Sequence, residues 1–154
     1  MKKNTQMRKQ WAGISRLKTA ILVDVDGTLA GIYRNGERPL RSSAPGALKM
    51  LSEHAPVFLW SIVGAENAER LIKEYPEISQ YVSGCYGKED FPMDMVEQVY
   101  CIDDQLADEQ VINSENVFLV DCYECGADTG FLMDAVKVVV KCIHFDTAGK
   151  RCGK

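Results

Sequence analysis

The sequence predicts a three-layer α/β domain built around a mainly parallel β-sheet. Short apolar runs alternate along the chain with amphipathic stretches, a pattern typical of strands joined by crossover helices. The first run, residues 20–25, has the pattern of a strand that is covered on both faces. The 154 residues, 46% of them hydrophobic, suffice for one core, so we expect one domain.

The segment after this first strand predicts a hairpin. Asn35 and Gly36 lie between short polar-apolar segments in residues 31–40, and Asn-Gly is a strong two-residue hairpin signal. About 16 residues separate Leu29 from the helix that begins near Pro45, a length that fits a hairpin flap but not a further domain. We therefore expect a hairpin flap after strand 1 and no large cap.

The later elements alternate in the same way. Ser43 ahead of Pro45 marks a helix start, and the apolar residues that follow have helical spacing. The next predicted elements are a strand (56–64), a helix (65–75), a short strand (80–87) and two further strands (97–104 and 116–122). Residues 130–143 are ambiguous because helical spacing competes with continuous β-branched residues. We expect a helix there that becomes irregular near its end.

Polar residues end four of the predicted strands. They are Asp24 and Asp26 after strand 1, Ser61 after strand 2, Asp103 and Asp104 after strand 4, and Asp121 after strand 5. The carboxyl ends of parallel strands meet at one edge of a sheet, where ligands bind. Clustered carboxylates repel one another and lose hydration, so they need a cation. Mg²⁺ prefers such oxygen ligands, and the sequence therefore predicts a magnesium site at this edge.

Composition argues against a membrane protein. No apolar run approaches the roughly 20 residues of a membrane-spanning helix, and no apolar stretch precedes a secretory cleavage site. We therefore expect a cytoplasmic protein without membrane partners, in which the six cysteines are reduced thiols. Cys122 and Cys125 have the spacing of metal ligands, but structural zinc generally needs four ligands and a second pair of this spacing is missing.

Charge is unevenly distributed along the chain. Six basic residues and no acidic residue precede Ile21, so the net charge of −4 divides into about +6 on this arm and about −10 on the rest. The arm either contacts a phosphate-rich polymer or an acidic partner, or is a solvated terminus. We divide the chain into a flexible basic arm (1–18), one domain (19–146) and a short basic tail (147–154).

The first two polar strand ends resemble known motifs. Residues 23–29, VDVDGTL, are similar to the first motif of the haloacid dehalogenase (HAD) superfamily of phosphatases and phosphotransferases, an apolar strand followed by Asp-x-Asp-Gly-Thr. Residues 57–64, VFLWSIVG, are similar to the second motif, an apolar strand ending in Ser or Thr, which makes Ser61 the matching residue.

The other two motifs of the superfamily follow in order. YGKEDFP resembles the third motif through Lys88, and VYCIDDQLAD resembles the fourth, an apolar strand ending in an acidic pair. Four motifs in the right order on the right elements are specific together. The resemblance implies a Rossmann-like, HAD-like fold of the capless type and a catalytic domain over 19–146.

The resemblance implies covalent catalysis by the first motif. Asp24 would be the nucleophile that attacks phosphorus and forms an aspartyl-phosphate. Asp26 would be the general acid that protonates the leaving oxygen, and then the base that activates water. Gly27 would permit the sharp turn. Thr28 would hold Asp26 in place and belongs to the group of substrate phosphate-binding residues.

The remaining motifs would bind the phosphoryl group. The resemblance implies that Ser61 and Lys88 grip its oxygens, and that Lys88 also offsets negative charge. Mg²⁺ would lie among Asp24, the main-chain carbonyl of Asp26 and an acid of the fourth motif.

The fourth motif leaves a choice of metal ligand. Its adjacent-pair form assigns Asp103 and Asp104, and its spaced form assigns Asp104 and Asp108. Asp104 occurs in both forms and is therefore the first candidate, followed by Asp103 and then by Asp108.

These expectations combine into a Mg²⁺-dependent phosphomonoester hydrolase that acts through Asp24. A phosphotransferase with the same site, or a non-catalytic binding module on the same fold, are the alternatives. An open site suits a phosphate on a phosphoprotein or a nucleic-acid end, whereas a small metabolite would need a neighbouring subunit of a homo-oligomer to close the site. The basic arm favours polymers, while the acidic body argues against broad nucleic-acid affinity.

Overall fold

The sheet consists of parallel strands in the order β3-β2-β1-β4-β5. The computed structural model describes residues 16–105 and 116–147. Its strands are β1 (Leu17–Asp24), β2 (Val57–Ser61), β3 (Gly84–Gly87), β4 (Val96–Asp103) and β5 (Val117–Leu119). Its α-helices are α1 (Ala44–Ser52), α2 (Ala65–Glu74) and α3 (Phe131–Thr147), and 3₁₀ turns cover Pro76–Tyr81 and Met93–Met95. The predicted parallel α/β fold is therefore confirmed.

The core lies on both faces of the sheet because alternate strand residues point to opposite sides. Ile21 and Val23 of β1 belong to a large cluster to which all three α-helices contribute buried residues. Ala20 and Leu22 belong to a smaller cluster on the other face, against which the 3₁₀ turn Met93–Met95 packs. Both faces of β1 are thus buried from Ala20 onward, which explains the apolar sequence of that part of the strand.

The hairpin predicted after strand 1 is present. Asn35 and Gly36 both have positive φ, at 53° and 79°, the conformation of a type I′ turn. Arg34 and Glu37 flank the turn and exchange two main-chain hydrogen bonds. We call residues 31–40 the flap.

Helix α3 differs from its prediction at one end. It remains α-helical as far as Thr147, so the expected irregularity is wrong. Ala135, Val139 and Cys142 recur at helical spacing and are buried against the core. Burial of this stripe outweighs the weak preference of β-branched residues for strands.

Part of the sequence-based division of the chain stays a prediction. Strand β1 begins at Leu17, inside the stretch assigned to the basic arm. Residues 1–15, residues 148–154 and Asp108 lie outside the described residues. Within the described ranges, no helix is long and apolar enough to cross a membrane.

Candidate active site

The carboxyl ends of three adjacent strands meet at one edge of the sheet. Strand β1 ends at Asp24, β2 at Ser61 and β4 at Asp103. The register aligns Asp24 with Trp60 of β2, and Val23 with Ile102 of β4, so the three ends lie level. Because β1 lies between β2 and β4 in the sheet, Asp24 lies between the residues that end these two strands, Ser61 and Asp103.

Three carboxylates converge at this edge. Asp24, Asp103 and Asp104 each offer an oxygen, and these oxygens all lie within 4.8 Å of one another. Asp24 is 5% exposed and Asp103 is 1% exposed. Lys88 Nζ lies 3.2 Å from Asp24 Oδ1 and 2.6 Å from Asp103 Oδ2. We call Asp24, Asp103 and Asp104 the acid cluster.

The electrostatics of the acid cluster show a shortage of positive charge. Burial, followed by the charge of Asp103, raises the pKa of Asp24 to about 8 even though Lys88 opposes the shift. Burial likewise raises the pKa of Asp103 against the hydrogen bonds it accepts from Lys88 and from the Gln105 main-chain N–H. Burial lowers the pKa of Lys88, but the two carboxylates outweigh that and leave it raised. One ammonium group therefore does not balance the site.

The acid cluster fits a hard divalent cation. Its donors are carboxylate oxygens from β1 and from the end of β4, close enough to share one ion. The Asp26 side chain is directed elsewhere: it is 46% exposed and lies 3.2 Å from Arg38 Nη1. The sequence-based assignment gave Asp26 only its main-chain carbonyl as a metal ligand, and that assignment stays a prediction.

The Thr28 hydroxyl has a different partner from the one expected. Thr28 is fully buried, and its Oγ1 donates to Asp24 Oδ2 at 3.0 Å. The prediction that it holds Asp26 is therefore wrong. The turn explains this, because Thr28 and Leu29 both donate main-chain hydrogen bonds to Val25 O and so fold the loop back over the strand end. Thr28 thereby fixes one oxygen of the predicted nucleophile.

The Ser61 hydroxyl is placed to donate a hydrogen bond. Ser61 is buried, and its Oγ accepts hydrogen bonds from Val63 N at 3.2 Å and from Asn67 Nδ2 at 2.9 Å. Among residues 16–105 and 116–147, no atom accepts a hydrogen bond from the hydroxyl proton of Ser61. A hydroxyl that accepts twice can still donate once, which suits an oxygen of a bound phosphate.

Asp121 does not join the acid cluster. Its carboxylate pairs with the fully buried Arg41, which also contacts Thr28 O at 3.3 Å and Asp128 Oδ1 at 3.1 Å. The expectation that strand 5 adds an acid to the cation site is therefore wrong. Sequence patterns gave no signal for Arg41, because its two carboxylate partners, Asp121 and Asp128, lie 80 and 87 positions away. Its role is to hold the loop after β5 against the loop after β1.

Two further residues at the edge were missed by the motifs. Asn67 Nδ2 donates to Asp26 Oδ2 at 2.6 Å, and Arg38 Nη1 donates to Asp26 Oδ1 at 3.2 Å. Arg38 comes from the flap and Asn67 from the first turn of α2. No spacing of residues in the local sequence predicts either contact, because both depend on how the flap packs against α2.

The cysteine pair adds no ligand to the acid cluster. Cys122 and Cys125 are both exposed free thiols. Burial and a hydrogen bond with Asp104 raise the pKa of the Cys122 thiol, which disfavours the thiolate that zinc requires. Within the described ranges, the only group of three convergent metal-ligating side chains is the acid cluster.

A substitution at Gly27 should weaken metal binding by the acid cluster without an unusual loss of stability. Its φ is +84°, and a Cβ there would lie 2.3 Å from Asp104 Oδ2. Gly126 has a matching φ of +89° with nothing near its Cβ position. We expect Gly27→Ala and Gly126→Ala to lose similar stability, about 1 kcal/mol, since the flexible Asp104 carboxylate can move aside.

Gly27→Ala alone should lower the affinity for Mg²⁺, by about tenfold or more, because the displaced carboxylate leaves the acid cluster. Titration calorimetry on both variants measures this. Equal Mg²⁺ affinities in the two variants would contradict the assignment of Asp104 as a ligand.

Comparisons with known proteins give structural likenesses of low identity. No family model matches the chain, and no curated protein matches it. Among solved structures, it is similar to Fcp1, an essential RNA polymerase II CTD phosphatase, at 15% identity with a TM-score of 0.48 over 88% of this chain and 52% of that one. Fission yeast Fcp1 bound to beryllium fluoride matches at 14% identity with a TM-score of 0.48 over 95% of this chain and 56% of that one.

The chain thus spans about half the length of the solved structures it matches. Identities and TM-scores of this size carry no conclusion about activity.

Proposed function

We propose that this chain is a Mg²⁺-dependent phosphomonoester hydrolase in which Asp24 is the nucleophile. The observation that carries the proposal is the acid cluster, whose oxygens lie within 4.8 Å of one another, with Lys88 Nζ 3.2 Å from Asp24 Oδ1. Buried carboxylates so close together are unfavourable for the fold. Binding of a cation and of an anionic phosphoryl group accounts for the placement of these carboxylates.

Asp24 is suited to attack phosphorus. Thr28 fixes its Oδ2 at 3.0 Å, and Lys88 lies on the side of its Oδ1. Mg²⁺, when bound, supplies the charge neutralisation that lets an anionic carboxylate approach an anionic phosphate. Lys88 supplies further positive charge for the transferring oxygens, and the Ser61 hydroxyl supplies a donor.

The reaction then takes two balanced steps. An Asp24 oxygen bonds to phosphorus, the bond from phosphorus to the leaving oxygen breaks, and Asp26 gives its proton to that oxygen. Asp26 next takes a proton from water, whose oxygen bonds to phosphorus while the bond to Asp24 breaks, releasing inorganic phosphate. The half-exposed Asp26 carboxylate can reach both the leaving group and the incoming water.

The surface beside Ser61 supports one of the three substrate classes over the others. Ile62 and Val63 directly follow Ser61, and each is 75% exposed. Apolar side chains at such a place favour a substrate with an apolar surface around its phosphate, as in a phosphopeptide segment. The acidic body disfavours a bare nucleic-acid backbone. We therefore place phosphoproteins ahead of nucleic-acid ends, and small metabolites third.

A phosphatase panel tests this proposal. Metabolite, peptide and oligonucleotide phosphates are incubated with the chain in Mg²⁺ and, separately, in a chelator. We expect inorganic phosphate to be released in Mg²⁺, with at least about 100-fold less in the chelator. A phosphorylated acceptor in place of free phosphate would indicate the phosphotransferase alternative. Absence of turnover on every class in Mg²⁺ would contradict the enzyme and favour the binding module.

A further inference from the structure

The flap and helix α2 meet around the carboxylate of Asp26. Arg38 Nη1 lies 3.2 Å from Asp26 Oδ1, and Asn67 Nδ2 lies 2.6 Å from Asp26 Oδ2. Each oxygen of Asp26 thus has its own donor from a different element. Two donors fix both the position and the rotation of a carboxylate that is 46% exposed and would otherwise rotate freely.

The orientation of the Asn67 amide is determined by Arg38. Arg38 Nη1 also lies 3.0 Å from Asn67 Oδ1, and its Nη2 lies 3.0 Å from Asn67 O. A guanidinium group can only donate, so the atom of the Asn67 amide that faces it must be the oxygen. The amide nitrogen therefore faces Asp26, and this assignment follows from the hydrogen-bond network.

The Asn67 amide nitrogen connects two functional side chains. Its two protons serve Asp26 Oδ2 at 2.6 Å and Ser61 Oγ at 2.9 Å. Asp26 lies two residues after the end of β1, while Ser61 ends β2. One side chain thus sets the distance between the proposed general acid and a proposed donor to the phosphoryl group.

Arg38 is itself held in place by the packing of the flap. Its side chain is completely buried, and its Nε lies 3.4 Å from Glu74 Oε1 of α2, an ion pair outside hydrogen-bond geometry. The Tyr33 ring lies 4.9 Å from its guanidinium carbon, and the Tyr75 hydroxyl donates to Arg38 O. A buried arginine with so many partners is a rigid support, since moving it would leave a charge unpaired.

We propose that Asn67 and Arg38 are positioning residues, which aim the Asp26 carboxylate at the leaving-group oxygen and hold it in register with Ser61. This inference rests on the proposed function, in which Asp26 is the general acid. It adds the flap to the catalytic apparatus as a support for the acid.

The test uses the dependence of the rate on the leaving group. A general acid matters greatly when the departing group is a basic alkoxide and little when it is a stable nitrophenolate. In the 154-residue chain we expect Asn67→Ala to lower kcat/KM about 100-fold for an alkyl phosphate and less than about 3-fold for nitrophenyl phosphate. The parameter kcat/KM is the appropriate one because it covers the steps up to departure of the leaving group.

Two further variants separate positioning from damage to the fold. Asn67→Asp keeps the side-chain shape and the acceptor for Arg38 but removes both donated hydrogen bonds, so it should show the same graded loss. Lys73→Ala, at an exposed position on the same helix, should leave the whole series unchanged. A loss by Asn67→Ala that is equal across the leaving groups, or no loss at all, would overturn the proposal.

Asp24→Asn distinguishes the two possible failures. If Asp24→Asn is inactive on every phosphate while Asn67→Ala loses all rates equally, the positioning role is wrong and the proposed function stands. If Asp24→Asn retains wild-type turnover, the proposed function is wrong and the positioning role falls with it.

Discussion

Asp24→Asn is expected to abolish phosphatase turnover while the protein remains folded. The amide cannot form the acyl-phosphate bond, so kcat/KM should fall by at least about 10³-fold for every leaving group. Nitrophenyl phosphate is the best probe, since its leaving group needs no general acid and its kcat/KM therefore does not depend on proton donation by Asp26. Asp94→Asn, at an exposed position in the 3₁₀ turn, is the matched control and should keep wild-type turnover.

The same variant should be more stable than the wild type in a chelator. The pKa of Asp24 is about 8 in the folded state against 3.8 for the ordinary carboxyl. Between these values the unfolded chain releases the proton and the folded chain keeps it, so the free energy of unfolding falls as pH rises from about 4 to about 8. Asn cannot titrate, and Asp24→Asn should lack this part of the decline.

Urea unfolding at a series of pH values measures the difference between the two proteins. We expect the free energy of unfolding of Asp24→Asn to exceed that of the wild type by an amount that grows from pH 5 to pH 8. The difference should reach about 1–3 kcal/mol at pH 8. Mg²⁺ should shrink the gap, because an ion stabilises the charged Asp24 of the wild type. Parallel pH profiles in the chelator would contradict the shifted pKa.

Lys88→Met is expected to lose both activity and stability. Lys88 is the cation that pairs with the acid cluster within the described ranges, at 3.2 Å from Asp24 and 2.6 Å from Asp103. Its removal leaves buried carboxylates uncompensated, which should lower the free energy of unfolding by about 2–4 kcal/mol in a chelator at pH 8. Turnover should fall by about 10²–10³-fold, since a donor to the phosphoryl oxygens is lost.

The stability loss of Lys88→Met should depend on pH and on metal. At pH 5 Asp24, whose pKa is raised to about 8, carries its proton and has less need of a cation, so the loss should be smaller there. Mg²⁺ should also reduce the stability loss caused by Lys88→Met. Lys73→Met, a substitution at an exposed site on α2, controls for the change in net charge. A stability loss that is the same at pH 5 and pH 8 would assign Lys88 a packing role instead.

The strand ends were predictable because their signal is local. Apolar runs that stop at Asp24, Ser61 and Asp103 are visible in the sequence, and β1, β2 and β4 end at these residues. A parallel sheet then brings the ends to one edge without further information. The Asn-Gly turn of the flap was predictable for the same reason, since two residues specify its geometry.

Partner choice between distant side chains was not predictable. No residue pattern near Thr28 predicts that its hydroxyl donates a hydrogen bond to Asp24 instead of Asp26. Arg41 and Asp121 are 80 positions apart, and their pairing depends on how the loop after β5 packs. Such contacts follow from tertiary packing, which periodicity does not encode.

Covalent trapping tests the central claim, that Asp24 forms a phosphoryl-enzyme, most directly. The chain is mixed with excess nitrophenyl phosphate in Mg²⁺, quenched in acid and reduced with borohydride, which converts an aspartyl-phosphate to homoserine. Peptide mass spectrometry then identifies the amino acid at position 24. We predict homoserine at position 24 in Mg²⁺ and intact Asp24 in a chelator. Steady turnover with Asp24 unmodified, or modification at another residue, would contradict the account.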